Sequence, residues 1–256
     1  MSSVNAIAAM LLCAAISAAQ NTTTTLGWTL NGSATMEIPS EGVYRLRLTP
    51  NQIAQAGSAF LSKPIMFHVG NTFSYNFQFQ MTDPSFQASD GMTFVLQTEG
   101  PTAVGGNGGC LGYSGTPLAS NCPPSTTGIT PSVAVEFDDF ENSPYDINDN
   151  HVAILTDGLL NDTDPQTPYG VTNCQPTGGF GCMNNGDVWT VWIDYDGTSL
   201  HVALADDSDI RPPNLIDYVI DIPSILGKSS AYIGFTAGTG EGSENHYVMN
   251  LQTGKP

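Results

Sequence analysis

Residues 133–151, VAVEFDDFENSPYDINDNH, decide how the rest of the chain is read. Apolar Val133, Val135 and Phe137 alternate with Ala134, Glu136 and Asp138, the period of a strand whose side chains face opposite ways in turn. Glu136 and Asp138 therefore share a face, and Phe140 follows in the same phase. Two carboxylates on an apolar strand are costly to bury unless something positive compensates them. The segment holds neither Lys nor Arg, so a metal ion is the natural compensator. Asn142, Asp146 and His151 continue the run of donors.

Donor type sorts the ions. Oxygen-only sets suit calcium, and a set that adds an imidazole suits manganese, zinc or another transition metal. Glu136, Asp138, Asp146 and His151 make the second kind. Asp138, Asp146, the Asn142 side chain and a backbone carbonyl near Phe140 make the first. With Asp138 and Asp146 common to both, a two-metal site that fixes the loop is predicted. A solvated acidic loop is the plainer reading of an isolated DxD. The apolar approach strand and the closing His151 weigh against it here.

The pattern Glu-x-Asp-x-aromatic-x-Asn-x-x-x-Asp-x-x-x-x-His after a VAV strand resembles the metal-binding segment of the legume-type (L-type) lectins. That resemblance implies Ca2+ and Mn2+ side by side beneath a shallow sugar site. It also implies roles elsewhere. Asp90, opening Asp90-Gly91-Met92-Thr93-Phe94 after a cis Ser89–Asp90 bond, would accept hydrogen bonds from sugar hydroxyls. Gly109, ahead of Cys110-Leu111-Gly112, would offer its backbone N–H. Phe140 would give its carbonyl to calcium and its ring to the apolar side of a sugar, with the Asn142 amide beside it. Ile233 to Gly240 (IGFTAGTG) resembles the family strand that leads into the specificity loop, where Glu241 and Gly242 could donate backbone N–H groups. His246 is read as part of the following strand, outside the ligand sets. Cys110 stands where the family often has an aromatic, and the stretch 161–187 finds no clear counterpart.

Read without the resemblance, Asp90-Gly91 is an ordinary turn pair. The glycine-rich run Gly105 to Gly112 lacks the Lys-Ser/Thr of a phosphate loop.

The whole chain has 256 residues, 27 of them Gly and 17 Pro, with charged residues at only 12%. That composition and many short alternating runs predict an all-β, two-sheet jelly-roll sandwich. Strands are predicted at Thr72–Met81, Gly91–Gln97, Val133–Phe140, His151–Leu155, Val188–Tyr195, Leu200–Ala205, Ala231–Phe235 and Tyr247–Leu251. Asn51 to Lys63 reads as a loop because of Gly57 and Ser58, although a similar GSA segment leads into a strand in the lectin family. A net charge of −18 with 6 Lys+Arg repels phosphates and anionic membranes, which excludes nucleic acid and membrane insertion as partnerships.

Ala6 to Ile16 followed by Ser17-Ala18-Ala19 reads as a signal peptide over residues 1–19, although a basic start is missing. Residues 20–256 then form a single domain, secreted to the extracellular side. Beyond Cys13 four cysteines remain, and three pairings are possible. Proximity favours Cys110–Cys122 and Cys174–Cys182, and disulfides fit export.

The predicted function is a carbohydrate-binding lectin whose partners are glycans or glycoconjugates, and which turns nothing over. Weak single-site contact makes multivalency, for example in a homo-oligomer, the route to avidity. A rival reading takes Glu136 and Glu141 as nucleophile and acid/base of a retaining β-glucanase-like hydrolase, with carboxyls about 5–5.5 Å apart. A third is an adhesive sandwich that binds protein.

Overall fold

The computed structural model describes residues 22–66, 72–115, 122, 126–171 and 182–253. The predicted leader and Cys174 lie outside these residues. Among the described residues two antiparallel sheets of nine and seven strands face each other. The first runs, in spatial order, β1 (Thr22–Thr25), β2 (Trp28–Gly32), β5 (Ala56–Leu61), β15 (Ser230–Gly238), β8 (Gly91–Gln97), β9 (Ser132–Asp138), β10 (His151–Thr156) and β11 (Tyr169–Val171). The short β6 (Ile65–Met66) pairs with β15. The second runs β14 (Ile216–Val219), β13 (Ser199–Asp206), β12 (Trp189–Tyr195), β7 (Phe73–Thr82), β16 (Asn245–Thr253), β4 (Val43–Thr49) and β3 (Thr35–Ser40). One helical turn, α1 (Ile222–Leu226), is capped by Asp221, which accepts from Ser224 N.

Alternation drives the packing. Along β7, Phe73, Tyr75, Phe77, Phe79 and Met81 point inward and the polar residues between them stay half-exposed. These side chains meet Phe94, Phe137 and Phe235 of the opposite sheet, with the Phe77 and Phe235 rings edge to face at 4.8 Å. That geometry suits the ring quadrupoles.

The centre of the nine-stranded sheet is buried on both faces. β8 and β9 expose nothing. Val133, Val135 and Phe137 face the core between the sheets, while Ala134 joins Phe60, Val95, Leu111, Tyr113 and Leu155 in a second apolar layer on the outer face. Glu136 and Asp138 share that outer face, under the loops that cover it.

Every strand predicted from alternation is present, with ends moved by a residue or more except at Gly91–Gln97. Val133–Phe140 stops at Asp138, so Phe140 belongs to the loop. The reading of Asn51 to Lys63 as a loop is corrected: Ala56–Leu61 is a buried strand between β2 and β15. Its small residues answer to crowding rather than to a turn. A Cβ on Gly57 would sit 2.0 Å from the Leu48 carbonyl oxygen. Buried Ser58 accepts from Asn31 Nδ2 at 2.9 Å and donates to the Ala103 carbonyl at 2.6 Å.

Candidate metal and ligand site

Strand register assembles the donors. His151 lies opposite Asp138 in the β9–β10 ladder, and Gly91 lies opposite Asp138 in the β8–β9 ladder. Residues opposite one another share a face, and Glu136 shares it two positions earlier. One row across three strands therefore gathers Glu136, Asp138 and His151, and puts Asp90 next to them. Glycine is required at 91: its φ is +133°, and a Cβ would come within 2.5 Å of the Phe137 carbonyl oxygen.

The imidazole of His151 is fixed through Nδ1, which sits 2.9 Å from the Asn148 carbonyl. Donation there leaves Nε2 as the ligating nitrogen. Nε2 faces Asp162 Oδ2 at 2.6 Å and Glu136 Oε2 at 3.8 Å, with all three side chains fully buried. Asp138 Oδ1 accepts from Phe140 N at 2.8 Å, and Asp146 Oδ2 accepts from Asn142 N. Those two bonds fold the loop back so that Phe140 and Asn142 stand beside the donor row.

The electrostatics are those of a site short of positive charge. Burial first, then Asp162 and Asp138, pushes Glu136 well above the usual carboxylate range. Burial and Asp146 do the same to Asp138. Asp146 is pushed up to about 7, again by burial above all. Both oxygens of Glu136 and Oδ1 of Asp162 are buried without a hydrogen-bond partner. Among the described residues His151 is the only ion-pair partner of Glu136 and Asp162. Carboxylates and a tautomer-fixed imidazole with orphaned, converging atoms fit a divalent cation.

Asp162 was not anticipated. It lies in the stretch without a family counterpart, and it reaches the site because its N–H donates to the Tyr145 carbonyl at 2.9 Å. No spacing in the sequence signals that long-range contact.

Next to the donor row is a cleft of about 360 Å3. It is lined by Asp90, Gly109, Phe140, Asn142, Glu241 and Gly242, together with Gln87, Ser89, Gly108 and Gly240. All six residues expected at a sugar site converge here from four separate segments. Backbone bonds tie the segments together, from Gly108 N to Thr239 O at 3.0 Å and from Ser243 N to Gln87 O at 3.0 Å. The Ser89–Asp90 bond is cis. Asp90 is nearly buried, and its Oδ2 has no partner in the protein. Burial, with the Asp139 carboxylate behind it, raises Asp90 to about 7.

Gly109 is the middle residue of a 3-10 turn, Gly108–Cys110, and Cys110 is disulfide-bonded to Cys122 with a Cα–Cα distance of 5.4 Å. Cys182 is also disulfide-bonded, and its expected partner Cys174 lies outside the described residues. Glu136 and Glu141, the pair a hydrolase would need, sit in unlike surroundings. Glu136 is fully buried, Glu141 is exposed, and neither lines the cleft. His246 is in β16 as read, and it also meets Asp139 and Glu244 in a second buried group.

The sequence profile of the Legume lectin domain matches residues 20–253. The chain belongs to the legume lectin family. Among its curated relatives, the L-type lectin-domain containing receptor kinases I.8 and I.7 of Arabidopsis thaliana are 27% and 29% identical over 87% and 88% of this chain. The matched region spans only about a third of those proteins, 34% and 33%. Solved structures agree on the fold of this legume lectin domain. The metal-free lectin I-B4 of Griffonia simplicifolia matches with a TM-score of 0.67 at 20% identity, covering 89% of this chain and 92% of that one. The lectin of Bauhinia forficata in complex with GalNAc matches with a TM-score of 0.65 at 21% identity, covering 92% and 97%.

Proposed function

We propose that this lectin domain binds glycans without turnover, through the cleft formed by Asp90, Gly109, Phe140, Asn142, Glu241 and Gly242. The observation that carries the reading is the convergence of those six residues, from four segments, beside an uncompensated row of metal-type donors. Bound Ca2+ and Mn2+ would supply the missing positive charge and hold the loop rigid. Glu136, Asp138, Asp146, His151 and Asp162 are the residues to hold manganese or another transition metal. Asp138, Asp146, the Asn142 side chain and the Phe140 carbonyl are those to hold calcium.

The chain's own groups then do the recognition. Asp90 Oδ2 accepts from sugar hydroxyls, which answers its missing partner. The backbone N–H groups of Gly109 and Gly242 and the amide of Asn142 add hydrogen bonds, and half-buried Phe140 offers an apolar surface. A hexose suits a cleft of this size, and lectins of the same fold have been solved in complex with GalNAc and with galactose. Exposed Glu241 stands at the rim, where it contributes to the choice among sugars.

Placement outside the cytoplasm is part of the proposal. The Ala6 to Ile16 leader and the Cys110–Cys122 disulfide support it. So few contacts give weak single-site affinity, and a homo-oligomer would supply avidity.

Calorimetric titration of the metal-loaded chain with galactose, GalNAc and mannose, alongside Asp90→Asn, tests the reading. Binding of at least one sugar that Asp90→Asn loses is expected. Binding of none, or binding indifferent to Asp90→Asn, would count against it. Shortened glycans after incubation would return weight to the hydrolase.

A further inference from the structure

Asp139, Glu244 and His246 form a second enclosed group behind Asp90, distinct from the group of Glu136, His151 and Asp162. Asp139 follows the end of β9, Glu244 immediately precedes β16, and His246 is on β16, so the group ties one sheet to the other. Their exposures are 4%, 0% and 0%. One donor atom from each lies within 4.8 Å of the other two, and His246 Nε2 is 3.4 Å from Glu244 Oε1.

More than proximity points to a ligand. Asp139 Oδ1, both oxygens of Glu244 and Nε2 of His246 are all buried without a hydrogen-bond partner. The remaining atoms are held by the protein. His246 Nδ1 pairs with Thr49 Oγ1 at 2.6 Å, and Asp139 Oδ2 accepts from Asn184 Nδ2 at 3.1 Å. The Thr49 hydroxyl can accept from Nδ1 as well as donate to it, and the tautomer in which Nδ1 donates turns the Nε2 lone pair toward the two carboxylates, the arrangement of a metal-ligating histidine. Among the described residues, Arg45, Arg47 and Arg211 pair with Glu37 and Asp194, so none of them compensates this pocket.

We propose that Asp139, Glu244 and His246 are a third metal site, one that takes a divalent transition cation such as Zn2+. Two carboxylates and an imidazole make a three-ligand set with room for one more donor, which suits zinc, cobalt or manganese better than calcium. The cation takes on a structural role for the cleft. Asp139 N donates to the Asp90 carbonyl at 3.3 Å, so fixing Asp139 steadies the backbone under Asp90.

The site stands apart from the glycan reading and is tested by counting metal. The full chain is stripped with chelator, loaded with Co2+ in the presence of Ca2+, freed of excess metal, and its cobalt measured by elemental analysis and visible absorption. Wild type is expected to hold two equivalents of cobalt, one at each histidine. His246→Gln should lose one, and His151→Gln should lose the other while keeping the spectrum of the Asp139–Glu244–His246 centre. A single equivalent in wild type that His151→Gln removes, or full cobalt content in His246→Gln, would overturn the assignment. A proton shared between Asp139 and Glu244 would then be what neutralises the pocket. Where His246→Gln fails to fold, Glu244→Gln repeats the count at the same centre, and full cobalt content there would overturn the assignment equally.

Discussion

His151 Nε2 lies 2.6 Å from Asp162 Oδ2, with both side chains completely buried. An imidazole and a carboxylate held this close are either a hydrogen-bonded pair or two ligands of one ion. Nδ1 already pairs with Asn148, and Glu136 stands beside them with two orphaned oxygens. The second arrangement satisfies more of these atoms.

Asp162→Asn keeps the shape of the side chain and removes its charge. Transition-metal affinity at this site should fall by at least roughly 10- to 100-fold, the loss that follows even when only an outer partner of a ligand is removed. Titration of the chelator-stripped chain with Mn2+ measures it. Unchanged affinity would make Asp162 a bystander.

The metal-free chain should become less stable as pH rises. Asp90, Asp146 and Glu244 are each raised to about 7, mainly by burial. Raised carboxylates contribute stability that is fully present below the unfolded value near 4 and lost as pH climbs through about 7. His246, lowered to about 4, works the other way, losing its contribution as pH falls through that value. Three groups outweigh one, so thermal scans without metal should show Tm dropping between about pH 4 and 7. With metal bound the carboxylates are wanted charged, so the loaded chain should instead lose both its ions and its glycan in acid. A metal-free Tm that rises across that window would contradict the assignment of the buried charges.

Gly109→Ala should leave the fold intact and damage the cleft. A Cβ there would sit 2.2 Å from Asn142 Oδ1, so the amide must move. Losing that amide's hydrogen bond costs about 1 kcal/mol, several-fold in sugar affinity. Calorimetry with near-wild-type Tm and weakened binding is the expected pair of results.

Reducing Cys110–Cys122 opens a loop with a sequence separation of 12 right beside Gly109. A closed loop of this size contributes about 2–4 kcal/mol. Cys110→Ser with Cys122→Ser should lower Tm by several degrees and weaken glycan binding together. Loss of stability alone would separate the disulfide from the cleft.

Much of this was legible from short-range pattern. The alternation of Phe73, Tyr75, Phe77, Phe79 and Met81 predicts β7, and the spacing from Glu136 to His151 predicts the donor row. Both are set by neighbours along the chain. What stayed hidden was set by neighbours far along it. The strand at Ala56–Leu61 looked like a loop because its Gly and Ser answer to the approach of Leu48 and Ala103, which sequence does not display. Asp162 enters the site through Tyr145, and Asp139 meets Glu244 and His246 only because β9 and β16 come together across the two sheets.

The measurement that bears most directly on the central claim is a glycan array of the purified chain, run with Ca2+ and Mn2+ and repeated after EDTA. Binding to a defined glycan set that chelation abolishes and metal restores is predicted. Binding that survives chelation would detach the cleft from its metal loop, and silence under both conditions would contradict the lectin function.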